Sequence, residues 1–327
     1  MIPPLHRPRR IRRTAGLRDL VRETTLTAAD LVYPVFLHAD AEDTPIDAMP
    51  GQTRWSPDGL LRVAESALSK GIRAIVLFPK VADELKDSVG TEVNNEDGLI
   101  PRSLRALKER FPELTLITDV ALDPYSSDGH DGIVDQDTGV ILNDETVEVL
   151  CHQAVVQARA GADVIAPSDM MDGRVGALRE ALDADGHDQV ALLAYTAKYA
   201  SAFYGPFRGA LDSAPKGGDK KTYQMDPANQ REALRELFLD EAEGADMVMV
   251  KPAGPYLDIV RAIREATTLP VAAYQVSGEY LMIEAAAQSG WLDRDAVVLE
   301  SLMGIKRAGA DMILTYHALD AADLLRD

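Results

Sequence analysis

Eight apolar runs of strand length recur along the chain, and segments with helical periodicity separate most of them. The runs are LVYPVFL (31–37), IRAIVLF (72–78), LTLITDVAL (114–122), DVIAPS (163–168), VALLAYTAK (190–198), DMVMVKP (246–252), PVAAYQVS (270–277) and DMILTYH (311–317). The clearest helical patterns cover 144–159, 227–243 and 256–266. Because the hydrophobicity of each run is continuous rather than alternating, we expect strands buried on both faces, as a parallel sheet requires.

Strands that alternate with helices in this way predict an α/β protein of the (β/α)8 TIM-barrel class. The phrases AGADV, EGADM and AGADM precede three of the runs, and each predicts a glycine at a helix end followed by a short turn. A doubly wound sheet is the second alternative, but no G-x-G-x-x-G follows the first run. No linker divides the chain, so we expect an N-terminal arm over residues 1–25 and one catalytic barrel over residues 26–327.

The composition is that of a soluble globular protein, with 46% hydrophobic and 27% charged residues in 327. No apolar run approaches the roughly 18 residues of a membrane span, so no membrane association is expected. The N-terminal MIPPLHRPRRIRR lacks the apolar core of a secretory signal. A single cysteine, Cys151, excludes an internal disulfide framework and a multi-cysteine zinc site. These features together predict a cytoplasmic protein.

The charge of the chain is unevenly distributed. Seven arginines and one aspartate give residues 1–22 a net charge of +6, so the total of −19 leaves −25 on the other 305 residues. A basic arm is one signature of nucleic-acid binding, and that alternative stays open. However, an acidic body repels phosphate backbones and attracts the arm itself. We therefore favour a homo-oligomer in which the arm contacts a neighbouring subunit, with no nucleic-acid partner.

Two of the apolar runs end in a single lysine, Lys198 and Lys251. An ordinary lysine has a pKa of about 10.4, and lowering that pKa to about 7 takes roughly 4 to 5 kcal/mol. Burial disfavours the ammonium form, and a second ammonium nearby disfavours it further. A neutral lysine amine is a nucleophile toward carbonyl groups. The simpler alternative is that each lysine forms an ion pair with a carboxylate at a strand end.

Active sites of such barrels lie at the carboxyl ends of the strands. The polar residues at the predicted ends are Asp119, Asp123, Ser168, Asp169, Lys198, Lys251, Ser277 and Tyr316. The segment 204–226 after the fifth run has no predicted regular structure, and unstructured loops of this length usually cover a site. We interpret it as a lid whose cations meet an anionic substrate. These cations are Arg208, Lys216, Lys220 and Lys221.

The sequence resembles the porphobilinogen synthase family, also called 5-aminolevulinate dehydratase, essentially from end to end. The most specific motifs are AKYASAFYGPFRGA around Lys198, MVMVKP around Lys251, APSDMMDGRV (166–175) and YQVSGEY (274–280). The resemblance implies condensation of two 5-aminolevulinate molecules to porphobilinogen, with loss of two waters. Two ketone substrates call for two amines that form Schiff bases. A class I aldolase-type lyase on the same barrel is the nearest alternative, and it would need one imine lysine.

The resemblance also implies a role for each site residue. Lys251 is the amine for the first substrate, whose carboxylate contacts match Ser277 and Tyr316. Lys198 is the amine for the second substrate, whose carboxylate contacts match Arg208 and Lys220. The walls and cover of the second site match Tyr204, Phe207 and Gln224.

The metal region resembles the branch of the family that lacks a zinc-binding cysteine triplet. Ala121, Asp123 and Asp131 stand where zinc-dependent members have cysteines, so no zinc is expected. Carboxylate oxygens suit Mg²⁺ or K⁺, and they can also act without a metal by moving protons. Glu236 stands where Mg-activated members bind a regulatory Mg²⁺, whereas the simpler alternative is an exposed helix residue. The family's usual assembly is a homo-octamer.

Overall fold

The structure is a computed structural model that describes residues 6–211, 213 and 215–326. Its strands are β1 (Leu31–Leu37), β2 (Thr44–Pro45), β3 (Thr53–Trp55), β4 (Ala74–Pro79), β5 (Thr115–Val120), β6 (Ile133–Val134), β7 (Ile141–Leu142), β8 (Val164–Pro167), β9 (Ala191–Lys198), β10 (Met247–Lys251), β11 (Val271–Gln275) and β12 (Met312–Thr315). Eight of these strands are parallel and close into a barrel in the order β1, β4, β5, β8, β9, β10, β11 and β12, and β12 pairs with β1 to complete it. The TIM-barrel prediction is confirmed.

Helices surround the barrel and connect most of its strands. They are α1 (Ala15–Leu20), α2 (Pro57–Ser69), α3 (Leu99–Arg110), α4 (Asn143–Arg159), α5 (Arg174–Ala184), α6 (Gly205–Leu211), α7 (Arg231–Ala242), α8 (Leu257–Ala266), α9 (Ser277–Gln288), α10 (Arg294–Ala308) and α11 (Ala318–Leu324). Short 3-10 turns lie at Ala202–Tyr204 and Gly254–Tyr256, each directly after a barrel strand that ends in lysine.

The hydrophobic core has two layers, one on each side of the barrel wall. Alternate strand residues such as Val32 and Phe36 point into the barrel, and their neighbours such as Val35 and Leu37 pack under the helices. Both faces of β1 are therefore buried along its whole length. This double burial is why the strands appear in the sequence as unbroken apolar runs.

Two predicted boundaries are wrong. The helix predicted over 227–243 begins only at Arg231, after a turn that the side chain of Asp226 caps. The segment 204–226 was predicted to be irregular, but its first part forms α6. The proline in this helix lies at its second residue, where the missing N–H has no helical partner to lose.

The three repeated Gly-Ala-Asp turns form as predicted, with glycine in a left-handed conformation. Gly161, Gly244 and Gly309 have φ angles of 108°, 100° and 127°. The aspartate that follows each glycine has a second function, because its carboxylate accepts a backbone N–H of the adjacent strand. Asp163, Asp246 and Asp311 accept from Leu116, Leu192 and Val271, respectively, at 2.7 to 2.8 Å.

The described part of the arm, residues 6–25, is exposed to solvent at nearly every position. It contains a 3-10 turn (Pro8–Arg12) and the short helix α1. Three apolar side chains there are exposed: Ile11 by 48%, Leu20 by 83% and Val21 by 45%. Burial begins immediately after this segment, at Leu26, and the first barrel strand follows at Leu31.

Candidate active site

The two predicted lysines lie side by side at the carboxyl ends of neighbouring strands. Lys198 on β9 is the direct register partner of Lys251 on β10. The register of the two strands shifts shortly before these lysines, where three residue steps on β9, from Ala194 to Ala197, pair with two residue steps on β10. Leu193 and Tyr195 point into the barrel, so simple alternation would turn Lys198 outward. The extra residue reverses the alternation and directs the amine of Lys198 into the barrel.

Lys198 lies among oxygen acceptors. Its Nζ donates to Asp131 Oδ2 at 3.1 Å and to the backbone oxygen of Ser168. Asp131 also accepts from Lys220 Nζ at 2.7 Å and from Gln224 Nε2 at 3.4 Å. Burial alone would raise the pKa of Asp131, but the two lysines outweigh burial and hold that pKa below its usual range. One carboxylate therefore joins two ammonium groups.

Lys251 has the opposite environment, because aromatic rings surround its amine. Its Nζ lies 4.6 Å from the ring centre of Tyr274, 5.1 Å from those of Tyr195 and Phe207, and 5.4 Å from that of Tyr204. Within 6–211, 213 and 215–326, no residue forms a hydrogen bond or ion pair with this amine. Burial, followed by the charge of Lys198, lowers the pKa of Lys251 to about 7. Lys251 therefore has the properties of a nucleophilic amine at neutral pH.

Two further carboxyl groups line the same pocket. Burial, followed by the charge of Asp123, raises the pKa of Asp119 to about 7. Burial also raises the pKa of Asp123, although Lys220 at 3.8 Å opposes this effect. A buried carboxyl group that titrates near neutral pH, as Asp119 does, is suited to moving protons during a reaction.

The remaining predicted residues occupy two positions relative to this pocket. Arg208 on α6 and Lys220 line the pocket directly, as do Tyr204, Phe207 and Gln224. Ser277 and Tyr316 lie behind the aromatic rings. Ser277 Oγ accepts the backbone N–H of Phe207 at 3.0 Å, and the hydroxyl of Tyr316 lies 2.9 Å from that of Tyr274.

Three other predicted residues lie away from the pocket. Lys216 and Lys221 are exposed, and Lys221 pairs with Asp219 at 3.6 Å, because the segment after α6 turns these side chains outward. Asp169 is fully buried next to Arg174, at 3.7 Å. The position of Asp169 at a strand end predicted a place in the pocket, but its carboxylate lies next to Arg174 instead.

Glu236 lies on α7 in a different cavity, whose walls include Asn143, Asp172, Asn229 and Glu232. The side chain is half-buried, not fully exposed as in the simpler alternative. Burial raises the pKa of Glu236; Arg174 opposes this effect, and nearby acidic groups add to it. No group of three or more His, Cys, Asp or Glu residues in the described chain has the arrangement of a ready-made metal site.

Comparison with known proteins identifies the family. The model of the delta-aminolevulinic acid dehydratase family matches residues 5–324. The chain is 62% identical over 321 residues to the chloroplastic delta-aminolevulinic acid dehydratase of Physcomitrium patens, with 98% of this chain and 74% of the relative covered. It is 60% identical over 325 residues to the chloroplastic enzyme of Glycine max, with 98% and 78% covered.

The chain belongs to the delta-aminolevulinic acid dehydratase family. A solved structure agrees with this assignment over nearly the whole fold. The crystal structure of the Toxoplasma gondii delta-aminolevulinic acid dehydratase (porphobilinogen synthase), in complex with its product porphobilinogen, superposes with a TM-score of 0.97 at 55% identity. The match covers 99% of this chain and 92% of that one. The family favours the dehydratase prediction over the aldolase alternative.

The names of the relatives contradict the predicted cytoplasmic location. The curated dehydratases of Physcomitrium patens, Selaginella martensii and Glycine max are all named chloroplastic, which points to a plastid. The prediction rested on a single cysteine and on the lack of a secretory signal or apolar span. Those features do not distinguish a cytoplasm from the interior of a plastid. Separately, no helix in the described residues is long and apolar enough to cross a membrane.

Sequence reasoning missed the roles of two groups of residues at the dehydratase pocket. The sequence predicts a metal-binding or proton-transfer role for Asp131 but not its ion pairs with both Lys198 and Lys220. Of the four rings around Lys251, Tyr204 and Phe207 were expected at the second substrate site, whereas Tyr195 and Tyr274 were not predicted. Tyr195 and Tyr274 lie within apolar runs, where a tyrosine has the same pattern as any core residue.

Proposed function

We propose that this chain condenses two molecules of 5-aminolevulinate to porphobilinogen, with loss of two waters, through Schiff bases on Lys251 and Lys198. The observation that carries the proposal is the in-register placement of the two lysines in one pocket. Each substrate molecule has one ketone, and each lysine supplies one amine. A protonated imine is a good electron sink, which activates the carbon next to it.

Lys251 is suited to react first. With a pKa of about 7, a large fraction of this amine is neutral at physiological pH and can attack the ketone carbon. The hydroxyl of the resulting carbinolamine then leaves as water when it receives a proton, and the imine forms. Asp119 lines the same pocket with a pKa of about 7, so it can donate and accept protons in these steps.

Lys198 is suited to hold the second substrate. Arg208 and Lys220 line the pocket near it, and both carry the positive charge that a carboxylate requires. Arginine offers two parallel N–H donors, whereas lysine acts as a point charge. Asp131 keeps Lys198 in place until the substrate arrives. We propose that Ser277 and Tyr316 bind the carboxylate of the first substrate.

Lysine variants test this function. Lys251→Ala should abolish porphobilinogen formation, because no other amine replaces it at the first site. Lys198→Ala should lose most activity but still trap one substrate at Lys251, seen by borohydride reduction with 5-aminolevulinate and peptide mass mapping. Lys198→Arg should not restore activity, because guanidinium stays protonated. Normal turnover in Lys251→Ala or Lys198→Ala would refute the two-imine mechanism.

We further propose that Glu236 binds a regulatory Mg²⁺. The walls of its cavity include the carboxylates of Asp172 and Glu232, and Mg²⁺ takes one or two carboxylates together with several waters. Burial and acidic neighbours disfavour the charged carboxylate of Glu236, and a divalent cation would relieve this cost. The bound ion would supply positive charge between α7 and the loop over residues 221–229 that lines the same cavity.

Calorimetry tests the Mg²⁺ proposal without relying on activity. Titration of MgCl₂ into the protein should release or absorb heat with a saturating profile, and Glu236→Ala should remove that signal. Glu300→Ala, an exposed glutamate on α10, is the matched control and should keep it. Mg²⁺ should also raise the activity of the unchanged protein but not of Glu236→Ala. An identical titration curve for Glu236→Ala would refute the site.

We propose in addition that the chain belongs to the branch without catalytic zinc. Ala121 offers no ligand, and Asp131 already accepts from two lysines, which supports a pocket organised by ion pairs. Removal of zinc by a chelator should leave activity largely intact.

The assembly that we propose is a homo-octamer in which the arm contacts a neighbouring subunit. We expect no nucleic-acid partner.

A further inference from the structure

Glu279, in the YQVSGEY motif, connects the backbone at the ends of two barrel strands. Its side chain is 8% exposed, in the first turn of α9. One carboxylate oxygen accepts the N–H of Gly254 at 2.7 Å, and the other accepts the N–H of Val276 at 2.8 Å and that of Ala253 at 3.4 Å. Ala253 and Gly254 follow Lys251, and Val276 directly precedes Ser277.

The carboxylate of Glu279 binds backbone groups rather than a cation. Among the residues that the structure describes, no lysine, arginine or histidine forms an ion pair with it. Burial raises its pKa to about 7, although the three N–H groups oppose this effect. A buried carboxylate without a cation is costly to keep. An ordinary helix cap would need only the contact with Val276, so the two contacts beyond β10 require another explanation.

The reacting groups are attached to the two segments that Glu279 connects. Lys251 lies two residues before Ala253. On the other segment, Ser277 Oγ accepts the N–H of Phe207 at 3.0 Å, and the ring of Phe207 lies 5.1 Å from Lys251 Nζ. Glu279 therefore binds the backbone just beyond the Lys251 amine directly, and it binds the residue that precedes Ser277, whose side chain holds the backbone of Phe207.

We propose that Glu279 is a positioning residue, which holds the end of the Lys251 strand against the segment that begins at Ser277 and thereby places the Lys251 amine for imine formation. The inference rests on the proposed role of Lys251. Glu279 acts through the backbone and does not touch the substrate. Imine formation depends on placement, since a misplacement of about 1 Å can cost roughly 10²-fold in rate.

Glu279→Gln tests the proposal with almost no change in volume. A carboxamide has one acceptor oxygen, so its NH₂ must face a backbone N–H on one of the two segments. Borohydride trapping of 5-aminolevulinate at Lys251, followed by mass mapping, should be about 10- to 100-fold slower than in the unchanged protein. Glu284→Gln is the matched control. Glu284 lies on the same helix as Glu279, and the variant loses its ion pair with Arg294 of α10 at 2.8 Å but should trap at the normal rate.

A second variant reaches the same contact from the other side and remains a test if Glu279→Gln does not fold. A Cβ on Gly254 would lie 2.6 Å from Glu279 Oε1, so Gly254→Ala should displace the carboxylate and slow trapping similarly. Slow trapping in Glu279→Gln or Gly254→Ala, with a normal rate in Glu284→Gln, supports the proposal. Normal trapping in the folded Glu279 and Gly254 variants overturns it. Equal slowing in Glu284→Gln, in step with a lower melting temperature, also overturns it. If the unchanged protein traps no substrate at Lys251, the proposed function itself fails.

Discussion

At the scale of single residues, the pocket gives its two lysines opposite electrostatic environments. Lys198 has a carboxylate partner in Asp131, whereas Lys251 faces four aromatic rings. The charge of Lys198 is the second cause, after burial, of the low pKa of Lys251. In the proposed mechanism, Lys198 therefore has two functions: it is the second amine, and its charge activates the first amine.

This dual function predicts a change in pH dependence for Lys198→Met. A lysine is neutral above its pKa, so trapping at Lys251 should rise with pH through about 7 in the unchanged protein. Removing Lys198 removes a positive neighbour, so the pKa of Lys251 should increase toward its usual 10.5 and the midpoint should move to higher pH. Burial remains, so the shift should be partial. The measurement is the rate of borohydride trapping at Lys251 between pH 6 and pH 10.

Lys221→Met is the control for this experiment. Lys221 is 75% exposed, and its one ion-pair partner among the described residues is Asp219, so its loss should leave the midpoint unchanged. An unchanged midpoint in Lys198→Met would show that burial alone sets the pKa of Lys251.

Some residues of the site could be predicted from the sequence, and others could not. Lys198 and Lys251 could be predicted because an isolated lysine after an apolar run is unusual. Asp131 could not be given its role, because it lies eleven residues beyond the end of β5 in an irregular segment. Only the three-dimensional course of that segment brings it to Lys198 and Lys220.

At the scale of elements, the predicted strands agree with the structure within about two residues at most ends, because each strand is buried on both faces and is bounded by turn residues. The irregular step in β9 could not be predicted in the same way. No glycine or proline marks it within ALLAYTAK, and it depends on the pairing with β10. The direction of Lys198 is therefore a tertiary property of two strands.

The Gly-Ala-Asp turns provide a prediction at this scale. Gly309 has a φ of 127°, and a Cβ there would lie 2.6 Å from Cγ of Arg264, whose guanidinium pairs with Asp311 at 2.9 Å. Gly309→Ala should therefore lose about 2 to 3 kcal/mol of unfolding free energy, from backbone strain and from movement of Arg264. Denaturant unfolding measures this loss.

Gly186→Ala isolates the contribution of backbone strain. Gly186 also has a left-handed φ, 82°, but no atom lies within 4 Å of the Cβ position. Its cost should be about 1 kcal/mol. Equal losses in the two variants would mean that contact with Arg264 adds nothing to the strain at Gly309.

At the scale of the whole molecule, the arm and the barrel carry opposite charge. Residues 1–22 have a net charge of +6, and the rest of the chain has −25. The described arm residues are exposed, and they include the apolar side chains of Ile11, Leu20 and Val21. A segment that presents both arginines and apolar groups is complementary to an acidic surface on another subunit. The charge pattern was visible in the sequence, whereas the exposure of the apolar side chains required the structure.

Deletion of residues 1–22 should therefore produce smaller assemblies than the full chain. Identical subunits that each donate one arm and accept one form a closed assembly, and loss of every arm removes that contact throughout. Light scattering measures the mass of both forms, and higher salt should weaken the full-length assembly only in part, because apolar contacts are not screened. Leu20→Ser with Val21→Ser tests the apolar contribution while keeping the seven arginines. An unchanged mass after the deletion would refute the role of the arm in assembly, and salt-sensitive binding of the full chain to DNA or RNA would then favour the nucleic-acid alternative.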